Sequence, residues 1–267
     1  MKRMWTAIAL MLLAVTALSA GEGRRTILID NFNDGDSEGW EEFDITCLTG
    51  PCRGSFDAGS GEYVLETTEA IPVNEPTVGK LDADWAPAED NPVFGHGTMR
   101  GTIRANTDGT TVGFALRENH EDRIHYGFFG STSFGTFYIE RFSFFDPDAR
   151  GQTILAMADP DDFPFEAGKT YILEASIVGD KLTLKAWEEG ARKPRRPILK
   201  VHHDEFAPED GTGLAVVAFF DPEPLTDGED NNDLTEVTVS ATVDDLTFTA
   251  RRGKHEDNDD EDDEDDD

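Results

Sequence analysis

The stretch T-Y-I-L-E-A-S-I-V-G-D-K-L-T-L-K-A-W, residues 170–187, decides the fold. Tyr171, Leu173, Ala175 and Ile177 fall on one parity, and Ile172, Glu174 and Ser176 on the other. A period of two is the pattern of a half-buried strand. Gly179-Asp180 then supplies a two-residue turn, with Gly where a type II′ turn needs positive φ. On the return, Leu182, Leu184 and Ala186 point inward and Lys181, Thr183 and Lys185 outward, which completes an antiparallel hairpin.

Working outward, similar alternating segments recur at 26–31, 53–57, 62–67, 78–85, 98–104, 111–118, 123–129, 134–142, 152–157, 197–202, 212–220 and 237–249, so about fourteen short strands are expected. Gly, Asp and Pro punctuate them, and no run keeps a helical period. Many short antiparallel strands with polar outer faces predict an all-β, two-sheet sandwich of jelly-roll type. No Pro/Ser-rich linker and no internal repeat divides the body, so residues 21–252 are read as a single domain.

The chain has 267 residues, with 56 Asp or Glu against 23 Lys or Arg, for a net charge of −33. That balance excludes a general phosphate-backbone binder, so no nucleic-acid partner is expected. Two cysteines are too few for a disulfide-framework mini-protein or a Cys-rich zinc domain. Residues 1–20, MKRMWTAIALMLLAVTALSA, have a basic start, an uncharged apolar run and small residues before Gly21. This is the pattern of a secretory signal peptide, and the apolar run is too short to span a bilayer. The mature chain is therefore expected to be secreted or periplasmic, without a membrane span. In such an oxidising compartment Cys47 and Cys52, in C-L-T-G-P-C, are expected to close a small disulfide ring as a structural staple. Residues 256–267 hold 11 acidic residues out of 12, a density that predicts an extended, disordered tail over 253–267. Setting aside those 11 charges and Lys2 and Arg3 of the leader leaves −24, so the body itself is acidic.

Landmarks recur in a definite order: I-D-N-F-N-D-G-D-S-E-G-W at 29–40, T-V-G-F-A-L-R at 111–117, the hairpin region at 167–190, G-T-G-L-A-V-V-A-F-F at 211–220 and V-D-D-L-T-F at 243–248. In this order they resemble the concanavalin A-like lectin/glucanase superfamily, in particular its secreted bacterial laminin-G-like or family-16-glucanase-like branch. The resemblance implies a jelly roll with a concave, carbohydrate-holding sheet. It also implies first and last strands side by side, where many members carry structural calcium. Asp30 and Asp34 end the first strand; the last changes phase between Val243 and Leu246, where a bulge at Asp244-Asp245 would re-aim a carboxylate. Asp30, Asp34 and Asp244 are thus the candidate calcium ligands. The loop 221–233 is an alternative site.

The carboxylate motif of family-16 glucanases, E-x-D-x-E, is absent, and Glu42-Phe43-Asp44 has no following Glu at the right offset. No G-x-S-x-G elbow and no H-E-x-x-H are present. His202 and His203 adjoin in a strand and so point to opposite faces, which reads as a surface pair. The strands over 98–142 place Arg100, Arg104, Arg117, His125, Tyr138 and Glu140 on outward parities, and treating those strands as neighbours gathers all six on one face. Guanidinium forks and a Tyr ring suit sugar hydroxyls or uronate carboxylates; the plainer reading is cross-strand salt bridges with Glu118, Glu121, Asp122 or Glu140. R-I-H-Y at 123–126, with Arg100 and Arg104, is similar to the Arg and Q-I-H elements of jelly-roll alginate lyases, but the Glu of the first motif and the C-terminal Lys/Tyr strand are missing. The expectation is an exported, non-catalytic carbohydrate- or matrix-binding protein, with a polysaccharide or glycan partner, acidic ones included. A polysaccharide-active enzyme and a calcium-handling structural or adhesion protein are the alternatives.

Overall fold

The computed structural model describes residues 24–44, 54–72, 81–85, 95–119, 124–143, 151–206, 213–220 and 234–251. The segment 1–20 read as a signal peptide, the expected disulfide pair Cys47 and Cys52, the loop 221–233 and the acidic segment 253–267 lie outside them. Among the described residues fifteen strands form two antiparallel sheets. The sheet order is the consequence that matters for function.

One sheet runs β13 (Leu199–His202), β12 (Lys181–Glu188), β11 (Tyr171–Val178), β6 (Gly97–Ala105), β15 (Leu234–Arg251), β4 (Tyr63–Pro72), β3 (Ser55–Asp57), with β1 (Arg24–Asp30) also on β15. The other runs β10 (Gln152–Met157), β9 (Thr136–Ser143), β8 (Ile124–Ser131), β7 (Thr110–Asn119), β14 (Gly213–Phe220), β5 (Leu81–Trp85), β2 (Trp40–Asp44). The hairpin at 170–187 forms in the expected register, with Ile177 opposite Leu182 and Leu173 opposite Ala186. Gly179 takes φ +62 in its turn.

Alternation fills the space between the sheets. Met99, Ile103, Leu173, Leu184, Val243 and Phe248 from one sheet meet Phe114, Leu116, Tyr126, Phe128, Ile139 and Val216 from the other, all fully buried. At roughly 25 cal/mol per Å² of apolar area, this continuous core is the main source of stability.

β15 is 18 residues long and pairs with β4 through its first half and with β1 through its second. First and last strands therefore lie side by side. The pairing of β15 with β6 slips between Asp244 and Thr247, and Asp245 takes φ +54. The bulge is the phase change visible in the sequence, and it returns Leu246 and Phe248 to the core.

One expectation is overturned here. β6 and β7, only four residues apart, belong to different sheets. The connector does not close a hairpin because its polar groups are taken by β15. Asn106 N–H donates to Ser240 O (2.7 Å), its Nδ2 to Ser240 Oγ (3.1 Å) and Thr242 Oγ1 (3.0 Å), and Thr107 Oγ1 to Thr238 O (2.8 Å). Gly109, at φ +79, lets the chain turn over to the second sheet.

Candidate functional site

The crossing of β6 to the other sheet divides the six residues expected on one face. Arg100 and Arg104 lie on the outer face of the eight-stranded sheet. Arg104 pairs with Glu62 at 2.9 Å and reaches Asn106 and Thr242. The Arg100 guanidinium sits 5.8 Å from the centre of the Trp187 ring. Arg117, His125, Tyr138 and Glu140 belong to the seven-stranded sheet and are all buried, at 0–2% exposure. An open groove lined by these side chains is not what the chain builds.

Arg117 departs furthest from its expected role. It is the extra residue of a bulge in β7, where pairing with β8 slips between Leu116 and Asn119, and its φ is +54. The bulge turns Arg117 toward the inter-sheet side. There it donates to Gly95 O (3.0 Å), Gly179 O (2.7 Å) and Phe206 O, and lies 5.9 Å from the Tyr126 ring. One side chain thus ties three chain segments together. Tyr126 OH completes this end by accepting from Phe206 N–H (3.1 Å) beside His203 Nδ1 (2.9 Å), and burial pushes its phenol pKa up. His202 meets Asp180 at 3.0 Å on the exposed side, so the two histidines do diverge.

The same bulge gives Glu118 the outward parity that Arg117 would have had. Glu118 Oε2 then lies 2.9 Å from His125 Nδ1, while Glu140 Oε1 lies 3.8 Å from Nε2. Gln152 Nε2 donates to Glu140 Oε2 at 2.5 Å, and the Phe142 ring stacks on the imidazole at 4.9 Å. A carboxylate–imidazole–carboxylate row thus crosses β7, β8 and β9. With ionised carboxylates able only to accept, His125 Nδ1 is the donor to Glu118.

Beside this row the outer face is aromatic. Phe129 stands in register between Gly113 on β7 and Tyr138 on β9. A Cβ on Gly127 would fall 2.1 Å from the Phe129 ring, and one on Gly113 2.8 Å from it, so the two glycines let the ring lie across the strands. Phe129 meets Phe219 edge-on at 5.3 Å and Tyr138 at 5.7 Å, and Tyr138 meets Phe134 edge-on at 5.5 Å. Phe129 and Tyr138 are buried, whereas Phe134 and Phe219 keep part of their surface open. The register row Val217–Gly113–Phe129–Tyr138–Met157 crosses four strand spacings, about 19 Å. Met157 and Ile154 are exposed at its edge, 41% and 40%. The sequence reading named Tyr138 and missed Phe134 and Phe219; the signal was the pair G-F-F-G at 127–130 and F-F at 219–220.

The acidic residues at β1 and β15 are each engaged in local hydrogen bonds. Asp30 Oδ1 accepts from Phe32 N–H (2.8 Å) and Oδ2 from Trp40 Nε1 (2.9 Å), so this carboxylate anchors the turn after β1. Asp34 caps Asp36 N–H, and Asp244 accepts from Asp245 N–H at 2.7 Å. Burial raises the Asp244 pKa, the hydrogen bond from Asp245 opposes it, and the charges of Asp245, Glu62 and Asp30 add to the rise. Among the described residues no group of three or more His, Cys, Asp or Glu is placed to hold a metal ion. Nor, among them, is any helix long and apolar enough to cross a membrane.

No family model matches the chain, and no curated protein matches it. Solved structures do. The chain is similar to the CBM2 module of an evolved Dit protein of Lactobacillus casei BL23 phage J-1, with TM-score 0.51 and 12% identity over 86% of this chain and 97% of that one. It is similar to a non-specific endo-β-1,3(4)-glucanase of family GH16, with TM-score 0.50 and 12% identity over 88% and 94%. It is also similar to the catalytic domain of an endo-1,3-β-glucanase, a laminarinase, from Thermotoga petrophila RKU-1, with TM-score 0.50 and 10% identity over 86% and 100%. At such identities the likeness is one of fold, which a binding module and glucanases share. The chain has the antiparallel two-sheet β-sandwich that its alternating segments anticipated.

Proposed function

We propose that this chain is an exported carbohydrate- or matrix-binding protein that holds its ligand, without cleaving it, on the outer face of the seven-stranded sheet. The observation that carries this reading is the row Phe219–Phe129–Tyr138–Phe134: two part-exposed rings fixed edge-on by two buried ones. Rings immobilised by packing present apolar area at little entropic cost, which suits the CH faces of sugars. The leader at 1–20 supports export to where glycans are met. Against chemistry stands the engagement of the carboxylates, since Glu118 is held by His125 and Glu140 by Gln152. Affinity electrophoresis through neutral and acidic polysaccharides tests the reading. The native chain is expected to be retarded by at least one of them, and Phe134→Ala and Phe219→Ala to release it; no retardation in any gel refutes it.

A second reading, a polysaccharide-active enzyme, draws on the Glu118–His125–Glu140 row, an acid–base constellation on that face. It requires turnover. New reducing ends, or unsaturated-product absorbance from uronate polymers, lost in Glu140→Gln, would replace the binding reading with this one.

A further inference from the structure

The most cationic stretch of this acidic chain lies on the opposite face of the sandwich. Residues 181–200 contain seven of the 23 Lys and Arg residues, against only Glu188 and Glu189. Their core is the β12–β13 loop, A-R-K-P-R-R-P-I at 191–198. The loop is pinned by Ala191 N–H to Glu188 O (3.0 Å) and by Ile198 N–H to Leu184 O (2.8 Å), and Pro194 and Pro197 restrict it further. Lys193 reaches back to Glu174 (2.5 Å) and lies 5.6 Å from the Trp187 ring, to which Arg100 comes within 5.8 Å. That anchorage leaves Arg192, Arg195 and Arg196 exposed, with exposed Lys181 and Lys200 on the outward parity of the adjoining strands.

Elsewhere cations sit against carboxylates, as in Arg104–Glu62, Arg141–Glu205 and Lys169–Glu166. Among the described residues the five at this corner form no salt bridge. We propose that this outer corner of the eight-stranded sheet is a docking surface for an anionic polysaccharide, recognised through its carboxylate or sulfate groups. The choice of a polysaccharide rests on the glycan-binding reading above; the charge requirement does not. Guanidinium forks match planar or multi-oxygen anions better than ammonium groups do. The net charge of −33 opposes such a partner at long range, but at physiological salt the field of distant charges is cut within about 8 Å, so the local cations govern contact.

Other polyanions fit less well. Trp187, the ring of this corner, is 9% exposed beneath Arg100 and Lys193, so it offers no platform for a stacked nucleobase. Among the described residues the exposed large apolar side chains, Ile154, Met157 and Phe163, lie on or just beyond β10 of the other sheet, so none of them would insert into a lipid surface from this corner.

The test compares the full chain with Arg192→Glu/Arg195→Glu/Arg196→Glu and the milder Arg195→Ser/Arg196→Ser. The probes are dextran sulfate, uncharged dextran and single-stranded DNA, at about 50 mM and about 300 mM salt. Dextran sulfate should bind the native chain, weaken steeply with salt, and lose about tenfold or more of its affinity in the triple variant at low salt, with the double variant between. Uncharged dextran should not bind at this corner. Binding of a neutral polysaccharide that the native chain holds should be unchanged in the triple variant, which separates failure here from failure of the aromatic face. Native affinity in the folded triple variant, or tighter binding of the DNA than of the sulfated polysaccharide, overturns the proposal.

Discussion

Arg117→Met is the most informative single perturbation of the fold. It keeps a long stem and removes the guanidinium, which donates to Gly95 O, Gly179 O and Phe206 O. Gly95 and Phe206 are buried, while Gly179 is an exposed turn residue whose carbonyl regains water. Two acceptors therefore lose a charged donor without replacement, at about 1–3 kcal/mol each, and the third costs little. The expected loss is about 3–5 kcal/mol, a large part of the stability of an ordinary domain. The backbone supplies an independent check. At φ +54 a side chain is strained, so Arg117→Gly should be more stable than Arg117→Ala by about 1 kcal/mol, the reverse of the usual order. Urea unfolding followed by tryptophan fluorescence and far-UV circular dichroism gives both differences, provided the slope is unchanged between variants. An Arg117→Met protein within 1 kcal/mol of the native one, or an alanine variant more stable than the glycine one, would refute the clamp.

Gly127→Ala places a methyl where the Phe129 ring lies, at 2.1 Å, so it should cost about 1–3 kcal/mol by displacing the ring, and weaken polysaccharide retardation in step. Tyr63→Phe should cost about 1 kcal/mol by deleting the hydrogen bond to Glu42 Oε1 (3.1 Å) while keeping the stack on Phe32 at 4.7 Å; denaturant midpoints measure it. Burial, reinforced by Glu42, pushes the Tyr63 phenol pKa far up, so its ultraviolet signature should stay absent in alkaline titration until the chain unfolds. Asp244 is more easily protonated in the folded state than in the unfolded one, so native stability falls as pH rises from near 3.8 through the folded value and stays lower above it. Asp244→Asn escapes that loss and can still accept from Asp245 N–H, so it should match the native chain in acid and exceed it by up to about 1 kcal/mol at neutral pH; equal midpoints at both pH values would count against the charge cluster.

How far the fold was legible follows from what alternation encodes. The parity of 171–177 against 182–186 fixed the hairpin because one face is packed and the other wet, so a slip by one residue would invert both. The phase change at Asp244–Asp245 was readable for the same reason, since apolar residues continue on both sides of the bulge. β2, W-E-E-F-D, was missed because its two apolar residues lie three apart and give no period of two. The bulge at Arg117 was hidden by position. No apolar residue follows it within β7 to report a change of phase, so Arg117 was assigned the outward parity that belongs to Glu118.

The grouping of the site failed on a different kind of information. Parity tells which way a side chain points relative to its own sheet, but says nothing about which sheet the strand joins. That is decided by connectors, and the decisive one, 106–109, is only four residues long, a length that suits a hairpin. Its Asn and Thr side chains find partners at Ser240, Thr242 and Thr238, more than 130 residues away, which no local pattern reveals. Once β6 leaves, Arg100 and Arg104 go with it, and the face thought to be arginine-lined becomes an aromatic row beside a buried carboxylate–histidine row. The cations are then concentrated on the eight-stranded sheet, around Trp187 and the loop at 191–198. Two opposite faces of one sandwich thus carry opposite chemistries, packed rings on one and guanidinium groups without a carboxylate partner on the other, so the two glycan surfaces proposed above are physically separate.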